Sequence, residues 1–194
     1  MRIAFYGGSF NPPHVGHQLT LAYVLSTQNV DEVWVAPVFN HPDGKQLVDF
    51  DHRLAMCQHM VSMFDNNRVV VKDTEKEVYE QFGSGLTINT VRYLLNRPKL
   101  DGHQLLLILG YDILPSFERW QGYEELAKLR SAGKLDFFFV GRTGHGHSPV
   151  EMPRISSTEI RQMLLSSGEM NDGMLAGMLP SGVRKYIRST RLYR

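Results

Sequence analysis

The 194-residue chain carries 21 Lys and Arg against 20 Asp and Glu, a balance that gives no electrostatic footprint for a nucleic acid. With 42% hydrophobic and 21% charged residues, it reads as an ordinary globular protein long enough to bury a sizeable core. A single cysteine, Cys57, excludes an internal disulfide, and no stretch approaches the ~20 apolar residues of a membrane span.

Cys57 falls in the apolar run from Leu54, so it reads as a core thiol in a reducing compartment. The N-terminus opens directly on a strand, without the apolar segment of a signal peptide, and the expected location is the cytoplasm. The length fits one domain, residues 1–194, with a helical part from about 156 to 194 packed onto it. A homo-oligomer is compatible with the sequence.

Five short apolar runs read as buried parallel strands, because they are continuous rather than alternating. They are Ile3–Tyr6, Glu32–Ala36, Arg68–Val71, Leu105–Leu109 and Phe137–Val140. Helical patterns lie between and after them. The first is Gly16–Gln28, with Leu19, Tyr23 and Val24 on one face; the second is Asp51–Phe64, with Leu54, Cys57, Val61 and Phe64 in register. Thr87–Arg97, Tyr123–Ser131, Ser156–Ser167 and Ser181–Arg188 complete the set. The basic tail from Arg184 to Arg194 interleaves charge with apolar residues and reads as a helix with a short end. The alternation predicts an α/β fold, a doubly wound, mostly parallel, Rossmann-like sheet of five or six strands with helices on both faces. Ligands of such sheets bind beyond the carboxyl ends of the strands. Val38–Phe50, Asp73–Gly85 and Arg142–Pro153 are expected to be long connections, a length uncommon without a functional reason. His145 and His147 in the last have no carboxylate or cysteine partners nearby and read as solvated loop.

The chemistry concentrates at two places. The first strand runs into Gly7-Gly8-Ser9-Phe10-Asn11-Pro12-Pro13-His14-Val15-Gly16-His17. Two glycines allow a tight turn and close approach of a ligand, and a helix start then offers free N–H groups and a positive dipole end. His14 and His17, three residues apart, point the same way from that start and can donate to phosphate oxygens. The loop lacks the Lys-Ser/Thr of a Walker A motif and the third glycine of a dinucleotide fingerprint. The second place is Ile155-Ser156-Ser157-Thr158-Glu159-Ile160-Arg161. One hydroxyl can cap the following helix while the others face an anion, and Arg161 lies about one turn in, within reach of phosphate oxygens.

These two segments resemble the nucleotidyltransferase superfamily with signatures G-x-F-[ND]-P-x-H-x-G-H and I-S-S-T-x-[IV]-R, both present without gaps at Gly8–His17 and Ile155–Arg161. Within it the chain is most similar to the nicotinate-nucleotide adenylyltransferase family over nearly its full length. Gly85-Leu86-Thr87-Ile88-Asn89-Thr90-Val91 resembles that family's S-Y-T-[IV]-D-T-[LV], with Leu86 for an aromatic and Asn89 for Asp. Leu109-Gly110-Tyr111-Asp112, followed by Trp120, resembles its L-G-x-D…W, and the ending through Tyr186-Ile187 and Leu192-Tyr193 matches too.

The resemblance implies transfer of an adenylyl group from ATP to nicotinate mononucleotide. It implies catalytic roles for His14, His17 and Arg161, and an ATP site at Gly8, Ser9, Phe10, Gly110, Asp112, Ile155, Ser156, Ser157 and Thr158. Gly7, Lys45, Thr87 and Trp120 would meet the mononucleotide, Lys45 as the counterpart of the family's phosphate-binding lysine. Magnesium would be held mainly by the substrate phosphates, with no protein metal site. Each residue also has an ordinary reading: Trp120 as core, Asp112 and Thr87 as helix caps. Other transferases of the superfamily, acting on nicotinamide mononucleotide, phosphopantetheine or cytidylyl substrates, and a non-catalytic nucleotide-binding module are the alternatives.

Overall fold

The computed structural model describes residues 1–41, 44–64, 67–97, 102–142, 151–166 and 169–194. Among the described residues six parallel strands form one sheet in the order β3-β2-β1-β4-β5-β6. They are β1 (Arg2–Gly8), β2 (Glu32–Pro37), β3 (Val69–Val71), β4 (Gln104–Gly110), β5 (Leu135–Arg142) and β6 (Glu151–Met152). The helices are α1 (Val15–Thr27), α2 (Phe50–Val61), α3 (Thr74–Phe82), α4 (Thr87–Leu95), α5 (Leu114–Phe117), α6 (Tyr123–Ser131), α7 (Ser157–Leu165), α8 (Glu169–Met178) and α9 (Ser181–Thr190).

Alternate residues of the central strands feed two cores. Ala4, Val33, Val35, Leu106 and Ile108 face α1, α2, α7, α8 and α9, through side chains such as Leu21, Met56, Ile160 and Val183. Ile3, Phe5, Trp34, Leu105 and Leu107 face α4, α5 and α6, through Ile88, Val91, Leu94, Phe117 and Leu126. Burial on both sides explains why the strands read as unbroken apolar runs. β1 pairs with β2 on one side and β4 on the other, so chain progression reverses there. The crevice of a doubly wound sheet lies at that reversal, beyond the carboxyl ends of β1 and β4.

Three expectations are corrected. Asp73–Gly85 is not an irregular connection, since it holds α3, ended by Gly83 at φ 67°. Its Glu, Lys and Gln content favours a helix, but with Val78 as its buried apolar residue it has too weak a stripe to detect. In α2 the fully buried residues are Arg53, Met56, Cys57 and Met60, so of the expected register Cys57 alone is fully buried while Val61 and Phe64 pack at the margin of the core. In α1 the buried residues are Gly16, Thr20, Leu21 and Val24, and Leu19 is 39% exposed. α1 is apolar nearly all round, so periodicity alone does not fix which face turns inward. Residues 143–150, with His145 and His147, lie outside the described residues.

Candidate active site

A cleft of about 1130 Å³ opens where the crevice is expected. The Gly7–Phe10 turn, both histidines, Lys45 and Thr87 line it, as do Gly110, Asp112, Trp120, the Ile155–Thr158 run and Arg161. Every residue to which the resemblance gives a catalytic or binding role therefore lines one space.

The turn after β1 is built by close packing. Phe10 adopts φ 44°, a left-handed conformation uncommon for its type, and its ring is buried against Tyr6 at 5.5 Å and His17 at 4.9 Å. A Cβ on Gly8 would sit 3.2 Å from that ring, so the glycine gives Phe10 room to fold back. Phe10 thus offers a ligand only its backbone. His14 occupies the N-cap of α1; its N–H donates to Nδ1 of His17 at 3.0 Å, and the two rings stack at 3.7 Å. A Cβ on Gly16 would lie 3.1 Å from His14 Cε1 and Nδ1, so the glycine between the histidines is fixed by the ring it leaves room for.

The far end of the chain closes on this turn. Arg161 Nη1 donates to the Asn11 carbonyl at 2.7 Å, and Ser157 Oγ donates to the Pro12 carbonyl at 2.9 Å. Of the three hydroxyl residues one caps the helix, as expected, and the other two bind within the site. Ser156 Oγ accepts from the Thr158 N–H at 3.2 Å as the N-cap, while Thr158 Oγ1 accepts from Arg161 Nη2. Asn11 adds a third tie: its Oδ1 accepts from the Tyr193 hydroxyl at 2.7 Å and from the Val48 N–H at 3.3 Å. Burial pushes the Tyr193 hydroxyl up from its ordinary pKa, so it stays an un-ionised donor.

Arg53 was not expected here. It is 1% exposed, and its guanidinium donates to the carbonyls of Val48, Ser9, Val38 and Phe39. Burial lowers its pKa, against the raising influence of nearby groups. One buried cation thereby joins the first turn to the connection that carries Lys45. A charge in a helical stretch reads as solvent-facing, and the signal that could have exposed it is Arg53's place one helical turn before Cys57.

The other half of the cleft is shaped by α3, α4 and the approach to α6. Leu86, not Thr87, stands at the N-cap of α4, and no side chain caps that start. Gly122, at φ 86°, abuts the Ile88 side chain so closely that a Cβ would overlap it, which brings the Trp120 segment against the α4 start. Trp120 is half-buried and packs edge-on to Phe117 at 5.2 Å, so it is both core margin and cleft wall. Asp112 is exposed, and its Oδ1 lies over Gly110 where a Cβ would be. Glu75 of α3 also lines the cleft, a residue missed because its segment reads as loop. It is 5% exposed, Thr90 Oγ1 donates to its Oε1 at 3.0 Å, and burial raises its pKa to about 7.

Among the described residues no helix is long and apolar enough to cross a membrane, and no cluster of three or more His, Cys, Asp or Glu could hold a metal ion.

A family model described as cytidylyltransferase-like matches residues 5–163. The "Probable nicotinate-nucleotide adenylyltransferase" of Anaeromyxobacter dehalogenans (strain 2CP-C) is 37% identical over 197 residues, covering 99% of this chain and 96% of its own. The nicotinate-nucleotide adenylyltransferase of Bacillus subtilis (strain 168) is 29% identical over 202 residues, covering 99% and 98%. In fold, the chain is similar to Plasmodium falciparum nicotinic acid mononucleotide adenylyltransferase complexed with NaAD, with a TM-score of 0.77 and 22% identity over 99% of this chain and 97% of that one. Sequence kinship along the whole chain and the matching family model lead to one assignment: this chain belongs to the nicotinate-nucleotide adenylyltransferases of the cytidylyltransferase-like family.

Proposed function

We propose that the protein joins ATP and nicotinate mononucleotide into deamido-NAD and pyrophosphate, a step of NAD biosynthesis in the cytoplasm. The observation that carries this reading is the clasp of Arg161 and Ser157 onto the Asn11 and Pro12 carbonyls. It holds two helix starts, α1 and α7, against each other in a cleft that Thr87 and Trp120 also line, which supports a phosphate site there.

In this reading the mononucleotide phosphate attacks the α-phosphorus of ATP. The bond to the β-phosphate oxygen breaks, and pyrophosphate leaves with the electron pair. No protein nucleophile takes part, so catalysis rests on positioning and on donors aimed at charge moving to the leaving group. His17 donates from Nε2, because its Nδ1 already accepts from His14. His14 is 3% exposed; it buttresses the His17 ring and closes the turn. Arg161 and the first N–H groups of α7 hold the triphosphate, and Asp112, beside Gly110, faces the adenosine. Lys45, held on the connection that Arg53 anchors, meets the mononucleotide phosphate. The uncapped start of α4 offers N–H groups and a positive dipole end to the nicotinate carboxylate, and Trp120 covers the pyridine ring. The donors here are largely nitrogen and cationic, which fits a magnesium ion carried on ATP's own phosphates and keeping much of its water. Such an ion would neutralise phosphate charge in the transition state.

The test is magnesium-dependent pyrophosphate release from ATP with nicotinate mononucleotide, nicotinamide mononucleotide and phosphopantetheine as separate acceptors. Fastest release with nicotinate mononucleotide supports the reading. Faster release with phosphopantetheine overturns the substrate, and none with any acceptor overturns the activity.

A further inference from the structure

Glu75 is a buried carboxyl that the chemistry above does not use. It is placed by the start of α3, lines the same cleft as Thr87 and Trp120, and is 5% exposed. Thr90 Oγ1 occupies its Oε1 at 3.0 Å. Its Oε2, 3.9 Å from where a Gly85 Cβ would be, lies beside the segment leading into α4, on a residue that lines the cleft. Among the described residues no Lys, Arg or His forms an ion pair with it, unlike the partnered Glu77 and Glu125. A buried carboxylate without a cation is costly, and the carboxyl accordingly holds its proton up to about pH 7. Such a group is complementary to a ligand that brings positive charge with it.

A pyridine mononucleotide does bring one. Its ring nitrogen is bonded to ribose and three-coordinate to carbon, so the ring is a pyridinium cation whatever its 3-substituent. We infer that the Glu75 carboxylate is the counter-charge of the pyridinium ring, a specificity-determining residue that selects cationic pyridine nucleotides over neutral rings of the same shape. The inference rests on the proposed acceptor class. Thr90 holds one carboxylate oxygen and leaves the other for the ring. The carboxylate of nicotinate is held separately, at the uncapped start of α4.

The chemically reduced 1,4-dihydro form of the mononucleotide isolates the charge, since its ring nitrogen is neutral and its substituents are unchanged. kcat/KM for the pyridinium and dihydro forms of nicotinate mononucleotide is measured in the native protein and in Glu75→Gln. The glutamine keeps the Thr90 hydrogen bond, and thermal melting confirms folding. The expected result is a preference of the native protein for the pyridinium form that narrows at least about tenfold in Glu75→Gln, the equivalent of ~1.4 kcal/mol, with KM for ATP unchanged. Glu75→Asp, which keeps the charge, retains most of the preference. An unchanged preference in Glu75→Gln overturns the inference, as does an equal loss for both forms, which would make Glu75 purely structural. Absence of turnover with any pyridine mononucleotide in the native protein overturns the proposed activity and this inference together. Normal turnover in the native protein with an undiminished pyridinium preference in Glu75→Gln overturns this inference alone.

Discussion

His14 donates its backbone N–H to Nδ1 of His17 at 3.0 Å while their rings stack at 3.7 Å. An imidazole nitrogen that accepts an N–H carries no proton of its own, so neutral His17 has its hydrogen on Nε2. Heteronuclear NMR of the uncharged ring is expected to report the Nε2–H tautomer. An Nδ1–H tautomer would mean that the bond to His14 is absent in solution.

Gly16 shows how tightly that arrangement is packed. Alanine there should favour the helix by about 0.5–1 kcal/mol. Its Cβ would meet the His14 ring at 3.1 Å, however, and the ring must give way by a few tenths of an ångström. Gly16→Ala is expected to keep or raise the thermal midpoint while lowering kcat about tenfold or more, since a small misplacement of a catalytic group is expensive in rate. Paired melting and steady-state kinetics check it; full activity would show that the His14 position is not critical.

Arg53 makes the opposite trade. Replacing it with methionine strands the carbonyls of Val48, Ser9, Val38 and Phe39. At about 1 kcal/mol or more for each orphaned acceptor, Arg53→Met should cost roughly 4 kcal/mol of stability. The freed Val38–Val48 connection should also raise KM for the mononucleotide more than for ATP. Denaturant unfolding together with KM for each substrate tests this, and a loss below about 1 kcal/mol would show that water replaces the guanidinium.

Much of this molecule is legible in its sequence, and the places where it is not share one cause. The strands stand out because both of their faces are buried, and the two end motifs because glycine, histidine, serine and arginine spacing carries local geometry. Arg53, Glu75 and Thr74 are polar residues buried by tertiary contacts, so hydropathy assigns them to the wrong side or to a loop. α8 escapes notice for a related reason. With Gly173 and Gly177 inside it, low propensity is overridden by packing of Leu175 and the following Leu179 into the core. The role of Asn11 sits inside a motif, yet its ties to Tyr193 and Val48 span 182 and 37 residues and leave no local trace.

Glu75 also sets a pH dependence of stability. Its pKa is raised to about 7 from an ordinary 4.5 by burial, so between these values the folded chain keeps a proton the unfolded chain has lost. The stability contributed by that proton is complete below the unfolded pKa and is lost as pH rises through the folded one. The shift corresponds to about 3 kcal/mol across the window. Glu75→Gln is therefore expected to be more stable than the native protein at pH 8, with the gap closing toward pH 4. A pH-independent gap between the two unfolding curves would contradict the burial account.

The account stands or falls on whether the two ends of the chain meet to do chemistry or only to hold each other. Steady-state kinetics of His17→Ala and Arg161→Ala with ATP and nicotinate mononucleotide, alongside thermal melting, decide it. Removing a preorganised donor that acts in the transition state should lower kcat by about 10²–10³ and change KM far less. Each variant also loses hydrogen bonds within the site, His17 from His14 and Arg161 to Asn11, so a modest fall in melting temperature accompanies that loss. A kcat within about threefold of the native value in folded protein, with the whole effect in stability, would make these residues structural clasps.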